Sequence, residues 1–380
     1  MTLIKPRYGE QSISDLYGAI LSYFGMDGQN DLKYKIGKGE KLVLIIMDAL
    51  GMSTLRNSLV DNELKDYETL QLTSIFPSTT AAAMLSFYTG LTPGGHGVLG
   101  FTSYLKELGT IVNMLNLSHP SQEEQLPMIA HNFSSYISES AVPLGRRLQE
   151  NGIASMAIIP TSLVSTPSSN FTLSTMKKVP YYYPWDAMLR LQSLLNENGT
   201  AFISFYISTI DTLSHHYGPK SMEVMSATKD LFRFLNSLLA ELKGFTLLIT
   251  ADHGQTYNQR TNVVDGELLS LLDMPPFGDS RAVFMKTRNV EKLRRYFESR
   301  FPRFELFEKK EMIKHGYFGP EVDQRFQDRI GDLIAVPDYE ECLVYSYKGE
   351  AADQEYFQFK GHHGGLTTEE QEVPLLVYRR

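Results

Sequence analysis

The chain has 380 residues, 42% of them apolar, and a formal charge of −8 built from interspersed acids and bases. That length and apolar content suit one large α/β unit or a core with a smaller insert, and the charge argues against a basic face for nucleic acid or anionic membrane. The one cysteine, Cys342, excludes an internal disulfide. The start MTLIKPRYGE has no apolar signal core, and no apolar run reaches membrane length, so a soluble cytoplasmic protein is expected.

Residues 12–25 space their apolar positions like an amphipathic helix. KLVLIIMDALG follows, an unbroken apolar run from Leu42 to Met47 that ends at Asp48, as expected of a strand buried on both faces of a parallel sheet. Two further runs have the same form. AFISFYISTI (201–210) ends at Asp211, and GFTLLIT (244–250) is followed by Ala251, Asp252 and His253. Helical segments at 186–197 and 221–242, a βα unit around 143–159 and a last strand in VPLLVYRR complete the pattern. Strands alternating with helices predict an α/β fold with a mostly parallel central sheet flanked by helices. SRAVFMKT, NVEKLRRYFESRF and RFELFEKKEMI read as strand, helix and strand. Residues 256–330 are therefore expected to form a small inserted α+β subdomain in a core of 1–255 and 331–380.

Between the first strand and the middle of the chain lies TSIFPSTTAAAMLSFYTGLTPGGHGVLGF, residues 73–101. Hydroxyls before a small-residue helix commonly cap it. A helix start also offers N–H groups and a positive dipole to a phosphoryl oxygen, so Thr79 or Thr80 is a candidate nucleophile. An aspartate after one strand is ordinarily a cap, but three of them beyond strand ends, where open α/β sheets bind ligands, suggest a site. Asp211 and His215 share a helical face at i, i+4, Asp252 and His253 are adjacent, and His362 and His363 lie in GHHGG, which looks like a mobile hairpin. His119, His131 and His315 read as structural or solvated. YYYPW (181–185) reads as core or rim packing. The carboxylates and imidazoles suit Zn²⁺ ahead of Mn²⁺, Co²⁺ or Fe²⁺, and they are too many for one tetrahedral ion, so two divalent ions are expected.

The order MDALG, FPSTT…YTGLTPGGHG, DTLSHHYGP, TADHG and GHHGG resembles the alkaline phosphatase superfamily. Within it the chain is most similar to the type I phosphodiesterase/nucleotide pyrophosphatase branch, with motifs from Asp48 to His363. The resemblance implies one ion on Asp211, His215 and His363, and a second on Asp48, Asp252, His253 and the nucleophile's oxygen. It selects Thr80 as nucleophile, ten residues before Gly90, and leaves Ser78 and Thr79 the structural role. His216 matches no ligand and would stand behind the ligands. The asparagine that binds a phosphoryl oxygen in animal nucleotide pyrophosphatases corresponds to about Phe101, which cannot replace it; Thr102, Tyr104 or Asn113 are the substitutes nearby. The implied activity is hydrolysis of phosphodiester or pyrophosphate bonds through a phosphothreonine. The alternatives are a phosphonate hydrolase, a phosphomonoesterase, and a metal-braced binding protein without activity. The implied partner is a small phosphoester or phosphonate, with no stable nucleic-acid or membrane binding.

Overall fold

The computed structural model describes residues 3–28, 32–58, 61–122, 133–197, 201–240, 242–349 and 353–379. His131 lies outside them. Seven strands form the central sheet: β1 (Leu42–Met47), β2 (Glu68–Thr73), β3 (Ser155–Pro160), β4 (Lys177–Tyr181), β5 (Phe202–Ile207), β6 (Thr246–Thr250) and β7 (Glu372–Arg379). Their order is β2-β7-β6-β1-β5-β3-β4. β1 pairs in parallel with β5 and β6, β3 in parallel with β4 and β5, and β7 alone runs against its neighbours. Every residue of β1, β5 and β6 is buried, which is why these three read as unbroken apolar runs rather than alternating ones.

Helices lie on the flanks, among them α1 (Leu16–Tyr23), α2 (Thr80–Thr89), α3 (Thr209–Tyr217) and α4 (Met222–Leu239). The short helix 144–150 and β3 realise the βα unit expected around 143–159. α2 is built from small residues because it is buried almost throughout, with Ala81, Ala82 and Ala83 allowing close approach. No helix of the described residues is long and apolar enough to cross a membrane.

The expected inserted subdomain does not stand alone at 256–330. A second, six-stranded sheet runs in the order 304–308, 333–337, 282–285, 277–279, 102–105 and 110–113. Its outer hairpin therefore comes from the segment after the Thr-bearing helix, and one inner strand from beyond residue 330. The reason lies in pairing: the strand 277–279 takes Thr102 on one side, and 333–337 fills the gap between 282–285 and 304–308. The expected strand–helix–strand order survives inside it, with helix Val290–Arg300 between Ala282–Met285 and Phe304–Glu308, and a further helix at Lys309–Lys314.

The C-terminal GHHGG is not a mobile hairpin. Gly361 and His362 pair with Thr256 and Tyr257, and His362 is buried. A Cβ on Gly361 would lie 2.4 Å from the Ser214 carbonyl oxygen, so only glycine lets this strand reach α3.

Candidate active site

β6, β1 and β5 are adjacent at the centre of the sheet and parallel, so their carboxyl ends open on one edge, with strands about 4.8 Å apart. Asp48 follows β1, Asp252 lies two residues beyond β6, and Asp211 enters the first turn of α3 just after β5. Asp48, Asp252 and His253 are at most 2% exposed. Ala49, in the turn that aims Asp48, adopts φ 63°, and its N–H donates to Asp252 Oδ1 at 3.3 Å. Beneath the turn Gly51 meets Gly254, where a Cβ would sit 2.0 Å from the Glu369 carbonyl oxygen. The two strand ends can approach because neither residue has a side chain.

Three imidazoles are oriented in the same way. His253 Nδ1 lies 3.1 Å from the Gly254 carbonyl, His215 Nδ1 2.8 Å from that of Gly361, and His363 Nδ1 3.0 Å from that of Ser78. Each carbonyl can only accept, so each Nδ1 carries a proton and each Nε2 is the atom turned toward the carboxylates, the arrangement of a histidine ligand. His253 Nε2 is 3.4 Å from Asp252 Oδ2, 3.6 Å from Asp48 Oδ1 and 3.2 Å from Thr80 Oγ1. His215 and His363 Nε2 lie 3.3 and 4.0 Å from Asp211 Oδ1. The rings of His253 and His363 stack at 3.9 Å.

The ligand atoms of Asp48, Asp252 and His253 all lie within 4.8 Å of one another, as do those of Asp211, His253 and His363. Asp48 Oδ1 and Asp252 Oδ2 are buried with no hydrogen-bond partner. Burial, and then the Asp252 and Asp211 charges, hold Asp48 well above the usual carboxylate range. Burial would also raise Asp211, but His215, with His363 and His253 behind it, brings it below that range. Buried carboxylates with free oxygens facing imidazole Nε2 atoms are a donor set that divalent cations satisfy. The residues fit two such ions.

Thr80 is the first residue of α2, where backbone N–H groups have no intrahelical acceptor. Thr79 is the N-cap but makes no side-chain capping bond. Ser78 is structural in another way: its hydroxyl donates to the Gly365 carbonyl at 2.9 Å and accepts from the Gly364 N–H at 3.1 Å, tying the His363 loop to the helix that Thr80 begins.

The substitutes for the missing asparagine fare differently. Phe101 is exposed at the mouth, and its N–H donates to Asp279 Oδ2 at 3.1 Å. Thr102 spends its hydroxyl on Gly278, and Asn113 Oδ1 accepts from the N–H groups of Leu115 and Asn116. Tyr104 packs on Phe277 under the Lys286 ammonium in the second sheet, away from Thr80. His216 points outward, 4.0 Å from Glu355. Of YYYPW, Tyr181 is buried, while Tyr182, Tyr183 and Trp185 are exposed.

Two residues that sequence reasoning passed over support the candidate ligands. The Tyr206 hydroxyl donates to Asp48 Oδ2, and Gln255 Nε2 donates to Asp211 Oδ1 at 2.6 Å. Gln255 was legible as the polar residue closing ADHGQ; Tyr206 was hidden inside an apolar strand.

A cavity of about 290 Å³ opens beside Thr80, lined by Asp48, Asp211, His215 and His363 on one side and by Met84, Leu115, Ile159 and Leu163 on the other.

The profile of the type I phosphodiesterase/nucleotide pyrophosphatase family matches residues 42–366. Venom phosphodiesterase 2 of Crotalus adamanteus is 28% identical over 227 residues, 56% of this chain and 26% of the relative. Venom phosphodiesterase 1 of the same snake is 28% identical over an equal stretch, 25% of its length. The chain thus spans about a quarter of the length of the curated relatives it matches. Among solved structures, murine ectonucleotide pyrophosphatase/phosphodiesterase 5 superposes with a TM-score of 0.67 at 17% identity, covering 90% of this chain and 88% of that one. An inactive threonine-to-alanine form of it in complex with AMP gives 0.66 over the same shares, also at 17% identity. Phosphonoacetate hydrolase from Sinorhizobium meliloti 1021, in complex with phosphonoacetate, gives 0.61 at 16% identity, covering 89% and 90%. These likenesses are of fold, and they match the helix-flanked central sheet. The chain belongs to the type I phosphodiesterase/nucleotide pyrophosphatase family, within the alkaline phosphatase superfamily.

Proposed function

We propose that the protein is a two-metal hydrolase that cleaves phosphodiester bonds through Thr80. One observation carries the reading: Thr80 Oγ1 stands 3.2 Å from His253 Nε2, where unpartnered buried oxygens of Asp48 and Asp252 converge. Asp211, His215 and His363 would hold one ion, and Asp48, Asp252 and His253 the other. Ions bound there supply the positive charge that makes a hydroxyl acidic and neutralises phosphoryl oxygens.

Thr80 loses its proton to solvent and its oxygen forms a bond to phosphorus, while the ester bond opposite breaks and the alcohol leaves. Water then cleaves the phosphothreonine, and Thr80 regains a proton. The free N–H groups at the first turn of α2 are aimed at the phosphoryl oxygens and take the place of the missing asparagine. AMP in the murine relative and phosphonoacetate in the bacterial one support a phosphoryl or phosphonyl substrate here. Phosphonoacetate would need a cation for its carboxylate, and among the described residues no Lys or Arg lines the cavity beside Thr80. That favours the diester.

The test compares bis-p-nitrophenyl phosphate, p-nitrophenyl phosphate and phosphonoacetate as substrates of chelated and zinc-loaded protein. The diester is expected to be turned over fastest, only with metal, and Thr80→Ala is expected to lose at least about a thousandfold in kcat. Full metal-dependent activity in Thr80→Ala would show that another group is the nucleophile. A preference for the monoester or for phosphonoacetate would replace the diester reading.

A further inference from the structure

A second cavity, of about 410 Å³, shares Phe101, His215 and His363 with the first but contains neither Thr80 nor Asp48. This volume is within the range of about 300–1,000 Å³ typical of ligand pockets. In an in-line displacement the leaving oxygen departs opposite the nucleophile. Thr80 borders only the first cavity, so a group leaving past His215 and His363 enters the second. We propose that this second cavity is the leaving-group subsite and that it takes an uncharged alcohol carrying an aromatic or heteroaromatic ring with a hydrogen-bonding edge. The proposal rests on the hydrolase reading above for its direction of departure, though the cavity's own chemistry stands apart from it.

The walls carry the argument. Phe277, Tyr345, Tyr347, Tyr356 and Phe359 line the cavity, with Tyr345 and Tyr347 held edge to face at 4.7 Å. Such rings offer faces and edges to another ring. At the base is His362, 1% exposed, with Nδ1 2.9 Å from Ser280 Oγ and Nε2 without a hydrogen-bond partner. A buried polar atom lining a cavity and left unpaired is an incomplete hydrogen bond, and a ring edge bearing a donor or acceptor completes it. His362 is one residue from a metal ligand, but its Nδ1 is held by a serine rather than a carbonyl, and it lines only the second cavity. The charged groups there are Asp279, Asp353 and Lys348. Two carboxyl groups against one ammonium oppose an anionic leaving group, which favours an alcohol over a phosphate. The displacement then forms the Thr80 Oγ1–phosphorus bond and breaks the opposite phosphorus–oxygen bond. The leaving oxygen takes that electron pair and gains a proton from water.

Two half-esters that share the transferred group test this: p-nitrophenyl methylphosphonate, whose leaving group has a ring, and 2,2,2-trifluoroethyl methylphosphonate, whose leaving group has none. They are assayed with zinc-loaded wild type, Tyr345→Ala and the cavity-filling Val264→Trp, with circular dichroism confirming the fold of each variant. In both variants kcat/KM for the ring ester should fall at least about tenfold more than for the trifluoroethyl ester. Equal losses on the two esters overturn the proposal. Binding of phenol, observed by saturation-transfer NMR, gives a readout free of turnover. Phenol should bind wild type and not Val264→Trp. If wild type hydrolyses neither ester, the hydrolase reading fails and the phenol experiment judges the cavity by itself: no binding to wild type, or equal binding to both proteins, overturns it.

Discussion

Tyr206 gives its hydroxyl hydrogen to Asp48 Oδ2, leaving Oδ1 to face His253. Without that bond the carboxylate would be free to rotate, and groups that orient metal ligands typically contribute 10–100-fold to affinity. Tyr206→Phe is therefore expected to weaken zinc binding about 10–100-fold, read from activity in zinc-buffered chelator solutions; unchanged affinity would deny Tyr206 this role. Asp279 makes a different prediction. Burial pushes its carboxyl up to about 6 from an ordinary value of 3.8, despite the opposing N–H of Phe101. In the window between about pH 4 and 6 the folded state keeps a proton that the unfolded chain has lost. This contribution to stability is thus present at low pH and disappears as pH rises toward 7, by about 3 kcal/mol in all. Asp279→Asn cannot titrate. Its stability relative to wild type should therefore improve from pH 4.5 to pH 7 in urea unfolding, and a difference independent of pH would contradict the assignment. At this scale the acids and histidines beyond apolar strands were conspicuous in the sequence, and the family resemblance then singled out Thr80 and His363. The sequence did not name Tyr206, whose hydroxyl sits among core residues, nor show that Thr102 is engaged by the distant Gly278 and Asn113 by its own turn.

At the scale of elements, the segment carrying His363 is fixed by a buried ion pair. Arg281 Nε and Nη2 donate to the two Glu370 oxygens at 2.7 and 3.1 Å, and Glu370 also accepts from the Gly365 and Thr367 N–H groups at 2.8 and 3.1 Å. Both side chains are fully buried. Arg281→Met would leave the carboxylate uncompensated and should cost about 3–5 kcal/mol, seen as a lower urea midpoint. Adding Glu370→Leu should recover part of that loss, and a double variant no more stable than Arg281→Met would show that the pair is not what holds the loop. The same scale shows where periodicity was informative. β1, β5 and β6 were legible because strands buried on both faces are continuous in apolar residues. The boundary of the second sheet was not, since its strand 277–279 is three residues long and pairs with residues some 175 positions earlier. Short strands leave no period to read.

For the whole molecule, the carboxyl groups of Asp48, Asp211 and Asp252 gather on one sheet edge, where the Asp252 and Asp211 charges oppose ionisation of Asp48 and a bound cation would relieve them. Metal that binds the folded chain alone stabilises it by about 2.7 kcal/mol at a hundredfold excess over Kd. Chelation should therefore lower Tm by several degrees as well as abolish turnover, and zinc should restore both; a Tm indifferent to chelator would argue against ions at this site.

What the sequence determined by itself is the chemistry and its order: strands ending in Asp48, Asp211 and Asp252, a threonine at a helix start, and histidines at fixed spacing. Local rules reach that far, because burial, helical period and capping act over a few residues. Only the tertiary structure decided that β6, β1 and β5 are neighbours, that a glycine contact brings two strand ends together, and that carbonyls of distant segments turn three imidazoles inward. Those outcomes depend on pairing between segments up to about 300 residues apart, which no window along the chain contains. Thr80 gains its meaning there, 3.2 Å from a histidine 173 positions away.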